Sequence, residues 1–203
     1  MNAMPYSPKL VCLAGLILIG CSPSASNQKD SVPTAKATPL GASSPAETAS
    51  QPLREATERR IGGMKFEVPA GWEEKALSST MILGEFSLPG EAGAARLTLS
   101  TAGGGTAANI DRWKGQFRPG KDDPEPKESQ IRAAGKDVTL LEVHGSHTDM
   151  FGGGAPKPNW QLLGIAIPID QDHNYFVKLT GPRETVTARH DEFLKFIQSA
   201  RFE

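Results

Sequence analysis

Three hydrophobic patterns follow one another along this chain. An apolar run occupies residues 10–19, a polar stretch without periodicity reaches about residue 60, and from there apolar and polar residues alternate in short segments. Alternation with a period of two is typical of strands that bury one face. The third region, residues 61–203, therefore predicts a folded domain that contains a sheet.

The segments of the third region are separated by turns rich in glycine and proline. Residues 64–68 alternate strictly, and residues 160–169 are apolar on both faces, which is typical of a central strand. Further strands are predicted at residues 81–88, 95–100, 130–133, 137–143 and 175–179. Because strands joined by short turns are antiparallel, the sequence predicts an antiparallel sheet.

Two segments have the spacing of amphipathic helices. Ile110, Trp113 and Phe117 form one apolar stripe on residues 106–117, and a second stripe follows Pro182 toward the end of the chain. A short helical turn is predicted at residues 53–60. The predicted fold class is α+β, an antiparallel sheet between two helices.

Composition and cysteine content exclude several classes of function. The 203 residues have a formal net charge of −1, which favours neither nucleic acid nor an anionic surface as partner. The two cysteines, Cys12 and Cys21, both precede the domain. The predicted domain therefore has no disulfide, no thiol chemistry and no cysteine-based metal site.

The start of the chain resembles a bacterial lipoprotein signal. Lys9 is the one charge before a ten-residue apolar run, which is too short to cross a membrane. The run ends in Leu-Ile-Gly-Cys at residues 18–21, the order aliphatic, variable, small, cysteine. The resemblance implies a signal peptide at residues 1–20, cleavage after Gly20 and lipidation of Cys21 with acyl chains such as palmitate. An uncleaved apolar anchor is the alternative.

Residues 21–60 are predicted to be a disordered linker because they are rich in Ser, Ala, Pro and Thr. In lipoproteins of this kind, an aspartate after the cysteine often retains the protein at the inner membrane, and Ser22 stands there instead. The sequence therefore predicts a protein of the cell envelope that faces the periplasm, with the outer membrane favoured. The lipid is its predicted membrane contact.

Two short motifs in residues 61–203 resemble the PsbP-like family. They are Phe-x-Val-Pro-x-Gly-Trp at 66–72 and Lys-x-Thr-Gly-Pro at 178–182, before the C-terminal helix. Residues 109–117 resemble uncharacterised bacterial lipoproteins associated with the same fold. The resemblance implies an α-β-α sandwich and a non-enzymatic accessory or assembly role.

The first predicted helix carries the candidate binding site. Asn109, Arg112 and Gln116 share one stripe beside Trp113, and a guanidinium with two amides suits an anionic or peptide ligand. The favoured interpretation is a solvated helix face with Arg112 lying over Trp113 or a strand. A small-ligand pocket between helix and sheet near Arg112 and Trp113 is the alternative.

Two groups of residues have side chains that can bind metals, but their spacing is not that of a metal site. His144 and His147 would point to opposite sides of a strand, with Asp149 as the one nearby carboxylate. An acidic loop lacks the spacing and turn glycine of an EF-hand; its members are Asp122, Asp123, Glu125 and Glu128. We therefore predict no metal and no cofactor.

The predicted function is that of a membrane-anchored envelope protein whose domain binds or assists another envelope component without catalysis. The alternatives are a small-ligand-binding module and an envelope hydrolase with an unrecognised site. Residues 150–154 are a candidate docking loop for a partner protein because Phe151 stands beside a glycine triplet. Packing of Phe151 onto the sheet is equally compatible with the sequence.

Overall fold

The computed structural model of the chain describes residues 52–149 and 153–203. These residues belong to one compact unit. The predicted signal peptide, the lipidation site at Cys21 and the predicted linker up to residue 51 lie outside the described residues, as does Phe151. Among the described helices, none has the length and apolar content needed to cross a membrane.

The described part of the chain forms eleven strands and three short helices. In chain order they are β1 (Thr57–Ile61), β2 (Met64–Val68), β3 (Glu73–Glu74), β4 (Ile82–Leu88), β5 (Ala95–Gly103), α1 (Thr106–Lys114), β6 (Phe117–Arg118), β7 (Lys127–Ala133), β8 (Lys136–His147), β9 (Lys157–Pro168), β10 (His173–Pro182), α2 (Arg183–Ala188), α3 (His190–Gln198) and β11 (Arg201–Phe202).

An eight-stranded antiparallel sheet forms the centre of the domain. Its order is β3-β4-β5-β10-β9-β8, and the outer edge of β8 pairs with β7 along one part and with β6 along another. The long strands β9 and β10 occupy the middle and bury apolar side chains on both faces. A sheet with two buried faces needs a covering layer on each side.

A layer made of a three-stranded sheet, β1-β2-β11, and of α3 covers one face. Phe66 of β2 stacks on Phe196 of α3 with ring centroids 4.7 Å apart, and it also contacts Tyr175 of β10 at 5.8 Å. The Tyr175 hydroxyl donates a hydrogen bond to the carbonyl oxygen of Ile61, 2.9 Å away. These contacts join the two sheets around the larger core.

Helix α1 covers part of the opposite face and forms the smaller core. Its Trp113 ring meets Phe176 of β10 edge-on, with centroids 5.5 Å apart. The ring lies over Gly164 of β9, where a Cβ would come within 2.7 Å of two indole carbons. Gly164 therefore leaves the space in which the indole packs.

The predicted α-β-α sandwich is wrong. Strands predominate over helices. The sequence predicts a helix as the cover of each sheet face, whereas α3 and the three-stranded sheet together cover one of them. That predicted helix is divided at Arg189 into α2 and α3. The helical turn predicted at residues 53–60 is also wrong, because Thr57–Ile61 forms β1 and pairs with β2. The domain thus begins upstream of residue 61.

Candidate functional site

The sheet face that carries α1 changes from apolar to polar across its width. Its apolar part, beneath α1, is formed by β8, β9 and Phe176. In the polar part, register pairs Lys178 of β10 with Thr98 of β5, and Thr180 with Arg96. Paired residues project from the same face of a sheet, so Glu85 of β4, which pairs with Thr98, joins them. We call Glu85, Arg96, Thr98, Lys178 and Thr180 the Lys178 face.

Lys178 is a partly buried cation without a direct salt-bridge partner among the described residues. Among the described residues its Nζ forms no hydrogen bond and no ion pair. Burial lowers the pKa of Lys178, the charges of Arg96 and Arg112 lower it further, and Asp149 acts in the opposite direction. An ammonium that has lost part of its hydration without gaining a partner is unfavourable for stability.

The Glu85 carboxylate is committed to Arg96 and does not neutralise Lys178. Arg96 donates to it through Nε at 2.7 Å and through Nη2 at 3.1 Å, and the Ser78 hydroxyl donates at 2.7 Å. These bonds, of which the one from Arg96 contributes most, lower the pKa of Glu85 to about 2 although burial opposes them. Glu85 is therefore ionised at neutral pH and paired.

Two further polar atoms on this side of the sheet lack hydrogen-bond partners. They are the buried hydroxyl oxygen of Thr180 and the buried Nδ1 of His147. The His147 ring stacks on Trp160 with centroids 5.4 Å apart. Burial, and then the nearby charge of Lys178, lower the pKa of His147, so the ring is neutral at neutral pH. Buried polar groups without partners are rare in native proteins and call for an explanation.

The residues predicted as a binding site on α1 are divided between the core and the surface. Trp113 belongs to the smaller core, and Asn109 and Gln116 are buried. The Asn109 amide donates to the carbonyl oxygen of Gly105 at 3.0 Å and accepts a hydrogen bond from Arg112. Arg112 itself is exposed, and its charge acts on Lys178. Of the predicted set, Arg112 is the residue whose charge lowers the pKa of Lys178.

The side chains that could bind a metal do not come together at one site among the described residues. The described residues contain no group of three or more His, Cys, Asp or Glu side chains that could hold a metal ion. In the acidic loop, Asp123 accepts hydrogen bonds from the backbone of Gly120 at 2.8 Å and from Arg183 at 3.0 Å. Glu128 pairs with Lys114 at 2.6 Å. These two carboxylates thus stabilise the fold.

Lys178, Arg96 and Thr180 are not among the site residues predicted from the sequence. The sequence does indicate that Lys178 is unusual, because it interrupts the otherwise apolar run Tyr-Phe-Val-Lys-Leu at residues 175–179. A lysine whose neighbours along the strand are buried loses part of its hydration. Such an environment is characteristic of functional lysines. Its cross-strand neighbours depend on register, which the sequence does not reveal.

Comparison with known proteins identifies no family. No protein-family model matches the chain, and no curated protein matches it. The chain is similar to the crystal structure of a protein of unknown function, PA94 from Pseudomonas aeruginosa, with 19% sequence identity and a TM-score of 0.43. The similarity covers 71% of this chain and 95% of the other. The resemblance to PsbP-like proteins therefore stays a prediction from short motifs.

Proposed function

We propose that this protein is a lipid-anchored protein of the cell envelope whose domain binds, without catalysis, a ligand that carries a carboxylate or phosphate group. The observation that carries the binding proposal is the Lys178 ammonium, which is largely buried, feels the positive charges of Arg96 and Arg112 as well as the negative charge of Asp149, and makes no direct salt bridge or hydrogen bond among the described residues. The lipoprotein-like sequence that ends at Cys21 supports the anchor.

The charges of the Lys178 face favour an anion over a cation or a neutral ligand. Lys178, Arg96 and Arg112 contribute three positive charges against the two negative charges of Glu85, which is bonded to Arg96, and of Asp149, so one positive charge remains in excess. An anion would accept a charge-assisted hydrogen bond from the Lys178 ammonium. Binding would raise the pKa of Lys178, because an opposite charge stabilises the protonated form.

The same geometry favours binding over nucleophilic catalysis. A catalytic hydroxyl needs a base within hydrogen-bonding distance to remove its proton. Among the residues that the structure describes, Thr180 Oγ1 has no such partner. Thr180 therefore lacks the partner that would activate it as a nucleophile.

Anion binding should depend on Lys178. We expect inorganic phosphate or citrate, at ten times its dissociation constant, to stabilise the full chain in detergent by about 1.4 kcal/mol. That corresponds to a rise in Tm of about 4 °C for a domain of this size. Lys178→Gln should reduce the affinity at least tenfold. Thermal unfolding monitored by circular dichroism measures both effects.

The matched control is Lys195→Gln, which removes an exposed lysine of α3 on the opposite side of the sheet. It should respond to the anions as the native chain does. Binding by the native chain should also weaken as the pH rises through the pKa of Lys178, because the neutral amine does not attract an anion. Equal responses of Lys178→Gln and the native chain, or no response to either anion, would refute the binding proposal.

The anchor should depend on Cys21. We expect Cys21→Ala to leave the precursor uncleaved and without acyl chains, because the thiol that accepts the lipid is absent. Mass spectrometry of the N-terminus and detergent phase partitioning of the expressed protein measure the two consequences. Cys12→Ala is the control and should be processed normally. Normal processing of Cys21→Ala would contradict the lipoprotein proposal and leave the binding proposal intact.

A further inference from the structure

The guanidinium of Arg96 is held in one place by the residues around it. Its Nε donates to Oε1 of Glu85 at 2.7 Å, and its Nη2 donates to Oε2 of the same carboxylate at 3.1 Å. Nη2 also donates to the hydroxyl oxygen of Ser78 at 2.6 Å. A planar group held by three hydrogen bonds loses less rotamer entropy when it binds a ligand than a freely rotating arginine does.

The carboxylate that holds Arg96 is itself fixed by the segment before β4. Ser78 donates to Oε2 of Glu85 from its backbone nitrogen at 3.2 Å and from its hydroxyl at 2.7 Å. The Glu85 side chain is 10% exposed, whereas the side chain of Arg96 is 50% exposed. The supporting carboxylate is therefore buried, and the guanidinium that it supports is accessible to a ligand.

One nitrogen of this guanidinium remains available. Glu85 occupies the edge that Nε and Nη2 form, so Nη1 and its two N–H donors lie outside that edge. Within the described part of the chain, Nη1 has no hydrogen-bond acceptor. Arg96 is thus a fixed cation at the surface with two unused donors.

The strand register places Lys178 close to this group. Thr98 of β5 pairs with Lys178 of β10 on one side and with Glu85 of β4 on the other. Since neighbouring strands lie about 4.8 Å apart, the α-carbons of Lys178 and Glu85 are about 10 Å apart on the same face. Burial lowers the pKa of Lys178 most, and the charge of Arg96 is the next cause, in agreement with this proximity.

We infer that Arg96 Nη1 is the second hydrogen-bond donor of the anion site, beside Lys178, and that Glu85 is the positioning residue that holds it. This inference rests on the anion-binding function proposed above. A carboxylate or phosphate group has at least two oxygens, so one oxygen can accept from the Lys178 ammonium and another from Arg96. Glu85 thus supports the binding of an anion although it is itself negatively charged.

Charge and positioning have opposite consequences at Glu85. Glu85→Gln removes a negative charge near Lys178, and by charge alone it should strengthen the binding of an anion. Because the variant also releases the guanidinium of Arg96, we expect its affinity for inorganic phosphate to be about fivefold lower than that of the native chain. Ser78→Ala leaves the net charge unchanged and removes a hydroxyl that contacts both partners, so it should weaken binding about twofold.

A double-mutant cycle tests whether Glu85 acts through Arg96. In chains that carry Arg96→Gln, the further change Glu85→Gln should no longer weaken phosphate binding, because no guanidinium remains to be held. NMR titration of the full chain in detergent, at an ionic strength kept constant with sodium chloride, measures the dissociation constants. The Nε–H resonance of Arg96 should shift saturably with phosphate in the native chain. A merely structural role of Glu85 would weaken binding equally in both backgrounds and would contradict the inference.

Glu74→Gln is the matched control for the loss of one negative charge. Glu74 pairs in register with Phe86 of the larger core, so it lies on the other face of the sheet, where it accepts a hydrogen bond from Arg59 at 3.2 Å. This variant should not weaken phosphate binding.

Two outcomes separate this inference from the anion site itself. If Glu85→Gln binds phosphate as tightly as the native chain or more tightly, the inference is overturned while the anion site stands. If the native chain shows no response to phosphate that depends on Lys178, the anion site is refuted and the inference with it. Should Glu85→Gln fail to fold, Ser78→Ala and the Nε–H resonance of Arg96 decide, and an unchanged affinity together with an unshifted resonance would overturn the inference.

Discussion

Replacing Trp72 with alanine is expected to lower the free energy of unfolding by about 4 kcal/mol, within the range for large aromatic residues in cores. The side chain is fully buried, and its ring lies 5.1 Å from Phe196 and 6.1 Å from Phe86, centroid to centroid. Its Nε1 also donates a hydrogen bond of 3.0 Å to Glu192. Truncation would remove contacts with both the sheet and α3 and leave a cavity between them. Urea unfolding followed by circular dichroism measures the change.

Two further variants separate the causes of this effect. Trp72→Phe keeps a ring but loses the hydrogen bond to Glu192, so it should cost about half as much as Trp72→Ala. Leu77→Ala removes a side chain that is 53% exposed, and its effect should stay within about 0.5 kcal/mol. An unfolding midpoint for Trp72→Ala that equals that of Leu77→Ala would contradict the central role of the indole.

Replacing Gly181 with alanine is expected to lower the free energy of unfolding by about 3 kcal/mol, at the upper end for overpacking. A Cβ on Gly181 would lie 2.6 Å from both the Cα and the Cβ of Ala95. These atoms belong to the start of β5, so the strain cannot be relieved by rotation of a side chain. The two strands would have to separate at the end of their pairing. Denaturant unfolding again measures the loss.

Two other glycines provide the comparison. Gly105→Ala should change stability by less than about 0.5 kcal/mol, because nothing lies within 4 Å of the added Cβ and the φ angle of −68° suits any residue. At Gly164 the added Cβ would meet the Trp113 ring, which is a side chain and can shift, so Gly164→Ala should have an intermediate effect. An effect of Gly181→Ala no larger than that of Gly105→Ala would show that β5 and β10 tolerate separation.

The strands could be predicted where burial imposes a period of two. The segment at 64–68 was identified because its apolar positions alternate, and the segment at 160–169 because it is apolar on both faces; β2 and β9 confirm them. Strand β1 has the same alternation of burial, yet four of its five residues are polar or charged. The aliphatic parts of its long side chains cover the core while their charged groups remain in water, so hydropathy alone does not reveal this strand.

The candidate site could be predicted only in part, because it depends on contacts between distant segments. Arg112 was identified from helical spacing, and it does act on Lys178. The same spacing placed Asn109 on a ligand-binding stripe, whereas its amide is buried against the backbone at the start of α1. The grouping of Glu85, Arg96 and Lys178 follows from the register of β4, β5 and β10, and register is a property of the assembled sheet.

The absence of a side chain at Gly164 links helix packing to the proposed anion site. Gly164 pairs directly with Lys178 across β9 and β10, so the indole of Trp113 packs next to the strand position of the lysine. A larger residue there would displace the Trp113 ring and would lie beside Lys178 on the same face of the sheet. A substitution at this position is therefore expected to affect the packing of α1 and the proposed anion site together.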